Sequence, residues 1–561
     1  MFSNKTPRAP IELGLILDSY TLPCWKKRII SEIINSSIVK VQLIVISNEI
    51  YAGLFKKLKN AISGLMFSIY EYLDYLIFSR GQNNALNIDD VYENIKHLKL
   101  INAKIESDEK TRYCLNDDID RIKKYNLDVI INLSTDDLKG EIFQCAKYGV
   151  WQLCFGLPAM FWEIYYDRPA STSALKVISS NGDAGCYIYT SYSATHPHSL
   201  FRSRNQAYWK SSNFVMRRLS DLHTYGWKYI RSLECYSERV DEMHIKNTIP
   251  KNIQMWWYLC KIVIRFIRSR ISLYCSYDQW FIAFRNRTIN DIDNFEEISK
   301  NINLIKPPKD RFYADPFTCS HNNSTYIFFE ECKFDDNKGV ISYVRLYENG
   351  DYSNPKIVLE QDYHLSYPMM FAWEGKHYMI PETKANRTIE LYEATSLEQW
   401  KLKKVLFEDV DAVDTTIFQY DNYLWLFTNM SINDSSSLDE LFLFYSTGVL
   451  EEWKPHTMNP IISDVRKSRP AGSLFKLGND LIRPSQDNSG RYGRAINLNR
   501  IDVLSPTEYK ETTLKVIEPN WLKNNVASHT FNLNDKFEVI DGQFSFLKSR
   551  LLSGKSYLGV K

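Results

Sequence analysis

The chain has 561 residues, with 69 Lys+Arg against 67 Asp+Glu and a net charge of +2. That length exceeds one ordinary core and predicts two or more domains, and the balanced charge excludes a polyelectrolyte partner such as bulk nucleic acid. Ten cysteines stand singly, with no CxxC pair or ligand spacing, which argues against a metal site and against a disulfide framework.

The opening "MFSNKTPRAP" has no apolar h-region, so the cytoplasm is the expected location. Residues 1–245 then alternate strand and helix signals. "IELGLIL" is a buried-strand run, "CWKKRIISEIINSS" a helix and "VQLIVIS" a second strand. "DDIDRIKKYN" follows as a helix, "LDVIINLS" as a strand, "LKGEIFQCAKY" (138–148) as a helix and "GVWQLCFG" as a strand. The order predicts an α/β open, largely parallel sheet with helices on its faces. No GxGxxG follows the first strand, so the dinucleotide fingerprint is absent. Within this region "AISGLMFSIYEYLDYLIF" (61–78) is interrupted by Glu71 and Asp74. A spanning helix wants about 20 apolar residues, so an amphipathic helix is expected instead.

"YGVWQLCFGLP" and "NGDAGCYI" carry a resemblance to the formyltransferases that use 10-formyltetrahydrofolate, of the methionyl-tRNA formyltransferase N-terminal type. The resemblance places Gln152 at the family's Asn, Cys154 at its His and Asp183 at its Asp. It implies 10-formyltetrahydrofolate as cofactor, but the chemistry needs an amide at the oxyanion and an imidazole to shuttle the proton. Gln152 is a methylene too long and Cys154 is no imidazole, so a degenerate or repurposed site is expected and no cofactor is firmly implied.

Residues 246–277 read as an amphipathic helical linker. "IQMWWYLCKIVIRFIRSRISLYC" (253–275) mixes Trp256, Trp257, Ile264 and Phe266 with Lys261, Arg265, Arg268 and Arg270. The pattern suits peripheral contact with an anionic membrane, at the inner face if the chain is cytoplasmic. The competing reading is a helix whose apolar face is packed between domains.

From 278 onward the sequence repeats a plan. "DPFTCSHNNSTYIFFE" starts at Asp315, "YPMMFAWEGKHYMIPE" at Tyr367, "DTTIFQYDNYLWLFTN" at Asp414 and "RPAGSLFKLGNDLIRP" at Arg469, with a shorter "HTFNLNDKFEVIDG" at His529. Each has a polar or Pro-containing entry, a central Asn, Asp or Gly turn and an apolar exit. Starts roughly 50 residues apart match four-stranded propeller blades and predict an all-β five-bladed propeller over 278–561. "DQWFIAFRN" (278–286) is expected to complete the fifth blade, closing the ring and removing an exposed sheet edge.

Corresponding places in the repeats hold ionisable residues. Asp315, Glu330, Glu382, Asp414, Arg469 and His529 are expected at one mouth, because so many such groups are costly to bury without a purpose. "ADPF" and "VDTTIF" are similar to the aspartate motifs of five-bladed furanosidases and fructosyltransferases. That resemblance implies Asp315 and Asp414 as nucleophile, base or orienting group, with Glu382 or Glu331 as the acid. "FYADPF", "YIFFEE", "HLSYPMMFAWEGKHYMIPET", "VDTTIF", "SRPAGSLF", "RPSQD", "YGRAI" and "SHTFN" together resemble the N-terminal domain of plant glucosamine inositolphosphorylceramide transferase. Arg469, Arg483, Asp487, His529 and Tyr367 are the expected substrate contacts, with Tyr313 and Trp373 as further stacking faces.

The chain is therefore expected to be a sugar-handling enzyme of surface polysaccharide or glycolipid synthesis, transferring or trimming a glycosyl group on a carbohydrate or nucleotide-sugar substrate. The alternatives are a silent glycan-binding scaffold, favoured by the missing Asn-x-His, and an active formyltransferase acting on an amino sugar.

Overall fold

The computed structural model describes residues 9–49, 64–81, 83–108, 111–114, 116–134, 137–156, 158–178, 185–233, 248–287, 301–347, 349–433 and 435–547. It divides into two compact units, Met1–Val263 with Asn433–Ser435, and Ile264–Ile432 with Ser436–Lys561.

The first unit is built on a nine-stranded sheet. From one edge its strands are Cys186–Ala194, Ala170–Ile178, Val150–Cys154, Val129–Asn132, Ile11–Leu17, Val39–Glu49, Leu100–Asp108, Thr111–Cys114 and Asp137–Lys139. The central strands are near-continuous apolar runs because both faces are covered, and they pair in parallel. Antiparallel partners join at both ends of the sheet, so it is mixed. The α/β class is as expected; a mixed sheet does not by itself establish a formyltransferase fold. The helix Cys24–Ile34 buries Trp25, Ile29, Ile30 and Ile33 at the spacing of one helical face.

The helix expected over 138–148 does not form. A short strand, Asp137–Lys139, is followed by the 3-10 turn Glu141–Gln144. Gly140 between them sits at φ 89, a conformation that suits glycine and interrupts any helix through it. The other three expected helices are present as Leu65–Phe78, Asn116–Lys123 and Asn252–Cys275, although residues 61–63 lie outside the described residues. No helix among the described residues is long and apolar enough to cross a membrane.

The second unit is a five-bladed propeller, one sheet per repeat. Blade one runs Arg311–His321, Ser324–Lys333, Gly339–Leu346, Lys356–Leu359. Blade two is Ser366–Trp373, Lys376–Thr383, Thr388–Ser396, Gln399–Glu408, and blade three is Asp411–Tyr420, Tyr423–Ser431, Glu440–Ser446 with the short Lys454–Pro455 and Ile462–Ser463. Blade four holds Phe475–Leu477, Asp480–Asp487, Ala495–Leu504 and Tyr509–Ile517.

Blade five joins the two ends of the unit. Ser276–Asn286 pairs antiparallel with Phe537–Leu547 along its whole length, from Ser276↔Leu547 to Asn286↔Phe537, and Asn303–Ile305 covers its other edge. The chain before the first repeat thus supplies the closing strand, as expected. Its Phe281 and Ala283 enter one apolar cluster with Ile482, Ile496 and Phe531. Ring closure is therefore held by burial as well as by the hydrogen-bond ladder.

Candidate functional site

The same irregularity recurs in blades one to three. The first strand gains one residue on its partner between Ala314 and Phe317, between Ser366 and Met369, and between Val413 and Thr416. Each bulge opens on a non-glycine residue in the left-handed region: Asp315 at φ 53, Tyr367 at φ 44 and Asp414 at φ 51. Such backbone is disfavoured and persists where its surroundings hold it, commonly at binding or catalytic sites. The bulges turn backbone amides onto neighbouring blades. Asp315 N donates to Asp541 Oδ2 at 3.3 Å, and Tyr367 N to Asp315 Oδ2 at 3.3 Å.

Every blade contributes to the resulting cluster. Arg469, entering blade four, makes a two-pronged ion pair with Asp414 of blade three, Nε to Oδ2 at 2.5 Å and Nη2 to Oδ1 at 3.0 Å. Gln486 Nε2 donates to the same Asp414 Oδ2 at 2.6 Å. Arg469 Nη2 also lies 3.5 Å from Glu382 Oε2 of blade two, and that buried oxygen accepts no hydrogen bond. Thr530 Oγ1 of blade five donates to Asp315 Oδ1 at 2.6 Å, and His529 Nε2 lies 3.7 Å from the same oxygen. His529 Nδ1 contacts Asp541, whose Oδ1 also receives the amides of His529 and Thr530 at 2.8 and 3.0 Å. The imidazole stacks on Trp280 at 4.1 Å, and Tyr492 lies edge-on to it at 5.3 Å.

Burial and crowding of like charge shift these groups strongly. Burial, then the Asp414 carboxylate, pushes Glu382 up to about 8, with Arg469 opposing. Burial pushes Asp315 up to about 7; His529 pulls it down while Asp414, Glu330 and Asp541 add to the rise. Burial works against a charged His529, but Asp541 and Asp315 outweigh it and raise the imidazole to about 9. At neutral pH the cluster therefore holds a protonated Glu382, a partly protonated Asp315 and an imidazolium between two carboxyl groups.

Exposure rises outward. Asp414 is 2% exposed, whereas the His364 side chain is 37% and Tyr492 43% exposed. His364 Nδ1 accepts the Gly339 amide at 2.9 Å, which leaves Nε2 as the donor to Glu330 Oε1 at 3.2 Å.

The structure brings Asp315, Glu382, Asp414, Arg469 and His529 together. It does not bring Glu331 there. The strand register puts Glu330 opposite Ala314, the place Glu382 holds opposite Ser366, and turns Glu331 to Arg311 at 2.5 Å and Ser342 at 2.7 Å. Arg483 is likewise outside, committed to Glu511 at 2.8 and 2.9 Å. Asp487 clamps its own loop through Ser489 and Arg494. Tyr367 reaches the cluster by its amide, while its fully buried ring is held by hydroxyl contacts with Thr416 and Gly472 N at 2.8 and 2.7 Å. Tyr313 is packed against Phe329, and Trp373 lies at the hairpin end of its strand, opposite Lys376. Neither Tyr367 nor Tyr313 offers a stacking face.

Sequence reasoning missed Gln486, Thr530, Asp541, His364, Tyr492 and Trp280. Gln486 stands in "RPSQD", Tyr492 in "YGRAI", His364 at the start of "HLSYPMMFAWEGKHYMIPET", and Thr530 and Asp541 in the fifth repeat, so a signal was present for those five. Trp280 stands in the closing strand "DQWFIAFRN", which carries no mark of a site.

Among the described residues, two groupings of three place possible metal ligands within 4.8 Å of one another: Asp315 with His529 and Asp541, and Glu330 with Cys332 and His364. In the first, both imidazole nitrogens face carboxyl groups and the ring holds its proton. In the second, His364 Nδ1 is occupied by an amide and burial pushes the Cys332 thiol up to about 12. Metal ligands must be deprotonated, so both sets read as hydrogen-bond networks.

In the first unit, Gln152 lies beside Asn132 on the neighbouring strand, whose Nδ2 donates to its Oε1 at 3.2 Å. Cys154 Sγ lies 3.8 Å from the Gln152 carbonyl. Asp183 lies outside the described residues.

Residues 303–536 match the family model described as "Glucosamine inositolphosphorylceramide transferase 1, N-terminal". The chain is 35% identical over 210 residues to glucosamine inositolphosphorylceramide transferase 1 of Oryza sativa subsp. japonica, covering 36% of this chain and 28% of the relative. With the Arabidopsis thaliana protein of the same name it is 33% identical over 245 residues, 42% of this chain and 31% of the relative. The chain thus spans about three-tenths of the length of the curated relatives it matches. Among solved structures, Zg3597, a family 117 glycoside hydrolase of Zobellia galactanivorans, aligns with TM-score 0.31 and 10% identity over 48% of this chain and 90% of that one. The β-1,2-mannobiose phosphorylase of Listeria innocua aligns with TM-score 0.33 and 10% identity over 42% and 92%. The matched residues 303–536 lie in the propeller, and the formyltransferase resemblance of the first unit gains no support from these relatives.

Proposed function

We propose that the propeller cluster is a glycosyl-transferring or glycosyl-trimming site in which Glu382 gives a proton to the departing oxygen and Asp315 is the second carboxyl group at the sugar. The observation that carries this reading is Glu382 itself: its side chain is 13% exposed, its carboxyl is raised to about 8, and its buried Oε2 accepts no hydrogen bond. A carboxyl group that keeps its proton at neutral pH is suited to protonating a leaving group. Asp414 acts through Glu382. Locked by Arg469 and Gln486, it supplies the negative charge that helps keep the Glu382 proton in place. Asp315, oriented by Thr530 and His529, supplies negative charge where positive character develops at the anomeric carbon.

The plant relatives are named for transfer to inositolphosphorylceramide, and a sugar or nucleotide-sugar substrate with a phosphate-bearing lipid acceptor is the class we read here. Formyl transfer is not part of this reading, since Gln152 and Cys154 do not reproduce the amide and imidazole that it needs. The test is a screen of nucleotide sugars and glycosides with product mass as the readout. Asp315→Asn should lower turnover by on the order of 10³ while ligand binding stays within about tenfold. A chain that binds glycans without turnover would establish the silent-scaffold alternative, and full activity in both Asp315→Asn and Glu382→Gln would overturn the roles given to these two residues.

A further inference from the structure

Two histidines meet on adjacent blades of the propeller, at the ends of their strands away from the charged cluster. His321 closes the first strand of blade one, six residues beyond Asp315, and His377 is the second residue of the second strand of blade two, five before Glu382. At about 3.3 Å per residue, the pair stands roughly 15–20 Å along the strands from the cluster. Each is carried beside a tight two-residue turn. Asn322–Asn323, at φ 48 and 60, joins His321 to Ser324, and Glu374–Gly375, at φ 49 and 76, joins Trp373 to Lys376. Two consecutive left-handed residues match the twist of the flanking strands, so both imidazoles sit on firmly held backbone.

The rings face each other although 56 residues separate them in sequence. His321 Nδ1 lies 3.2 Å from His377 Nε2, and the ring centroids are 5.2 Å apart. Asn322 Nδ2 donates to His321 Nε2 at 3.0 Å, which places the His321 proton on Nδ1 and makes His377 Nε2 its acceptor. His377 then carries its own proton on Nδ1, 3.8 Å from the Cys319 sulfur. One proton is thus shared between the two facing nitrogens. Among the described residues neither ring is paired with a carboxylate, and burial and the neighbouring imidazole hold His377 below the ordinary histidine range.

Two imidazole nitrogens at this spacing form one edge of a metal's coordination shell. On a tetrahedral zinc ion, with Zn–N of about 2.0–2.1 Å, two nitrogens stand about 3.3 Å apart. An ion replaces the shared proton when the His321 proton moves from Nδ1 to Nε2, a change of tautomer that releases no proton, and Asn322 turns its amide to accept it. Water fills the remaining positions, since the Asn322 contact is exposed. In the two carboxylate-bearing groupings above, a held proton or an occupied nitrogen bars the metal; here neither does. Imidazole suits zinc, copper and nickel, whereas magnesium and calcium want oxygen. We infer that His321 and His377 form a site for a divalent transition metal of the zinc and copper class, tying blade one to blade two at the strand ends away from the cluster. The inference is independent of the glycosyl reading of the propeller.

The test is calorimetric titration of the full chain, dialysed against EDTA and then buffer, with Zn²⁺, Cu²⁺ and Mg²⁺ at about pH 7, where imidazole is largely neutral. Zn²⁺ and Cu²⁺ should bind and Mg²⁺ should not. His321→Gln and His377→Gln should each lower the affinity by on the order of tenfold or more, while His97→Gln, at an exposed imidazole of the first unit, should leave it unchanged. Asn322→Asp should tighten binding by on the order of tenfold, because a carboxylate holds the Nε2 proton of a liganded His321. Zn²⁺ at about 100 times its dissociation constant should raise the melting midpoint by roughly 5–10 °C in the parent and not in His377→Gln. Electron paramagnetic resonance of the Cu²⁺ form should show coupling to two imidazole nitrogens, reduced to one in either glutamine variant. Unchanged melting midpoints without metal confirm that the variants fold. Three outcomes overturn the inference: no heat from Zn²⁺ or Cu²⁺ beyond that from Mg²⁺, binding that both glutamine variants retain, or a Cu²⁺ spectrum with fewer than two coupled nitrogens in the parent.

Discussion

Replacing Arg469 by Met tests whether the propeller cluster is a mutually compensated charge network. Arg469 is the cation within ion-pair distance of both Asp414 and Glu382, at 2.5 and 3.5 Å, and Asp414 is 2% exposed. Methionine fills much of the same space, so the loss is electrostatic before it is steric. Removing one partner of a buried ion pair costs about 3–5 kcal/mol, because the remaining charge is left without compensation. For a unit of this size each kcal/mol moves the melting midpoint by about 2–4 °C, which gives a drop of roughly 6–20 °C. Asp414→Asn should cost less, about 1–2 kcal/mol, since Arg469 retains Glu382 as a partner. The double variant Arg469→Met with Asp414→Asn should be at least about 2 kcal/mol more stable than the sum of the singles predicts. Differential scanning calorimetry of the full chain reads all three. A single-variant cost under about 1 kcal/mol, or additivity within about 0.5 kcal/mol, refutes the network.

Stability should also fall as pH rises from about 5 to 9. Glu382 and Asp315, raised to about 8 and 7, bind protons more tightly folded than unfolded across that range, and His529, raised to about 9, loses its contribution as pH passes through that value. Melting curves of Glu382→Gln should show a weaker pH dependence than the parent; an equal slope excludes Glu382 as a source. In a turnover assay the alkaline limb of the parent profile should fall near pH 8, where Glu382 gives up its proton, and Glu382→Gln should lose turnover by about 10²–10⁴. Phe281→Ala should cost about 3–5 kcal/mol, because the closing strand seats this ring against Phe544 at 4.1 Å, and urea unfolding measures it. Gly472→Ala should destabilise by about 3 kcal/mol or more, since φ is 125 and an added Cβ would lie 2.2 Å from the Phe531 carbonyl; a stable variant with an unchanged midpoint would contradict the packing there.

Periodicity determined a large part of this protein. Alternating apolar residues around an Asn, Asp or Gly turn specify a hairpin locally, and five copies at blade spacing specify a ring, because no blade buries its faces alone. The same logic found the closing strand before the first repeat and placed Asp315, Glu382, Asp414, Arg469 and His529 at corresponding positions. Register lay beyond it. Glu330 and Glu331 are neighbours in sequence, and only the bulge after Ala314 decides which turns to the cluster and which to Arg311, because a one-residue slip in a strand reverses the side chain. Arg483 lies inside the fourth repeat and Asp487 just after it, yet Glu511, on another strand of that blade, claims the first and Arg494, seven residues on, the second. Gly140 carried the local signal against the helix expected over 138–148. For the Leu65–Phe78 helix, composition gave an amphipathic face without saying which way it pointed; packing of Asp74 and Tyr70 inward turned the apolar stripe to solvent, a choice made by the partners and not by the period.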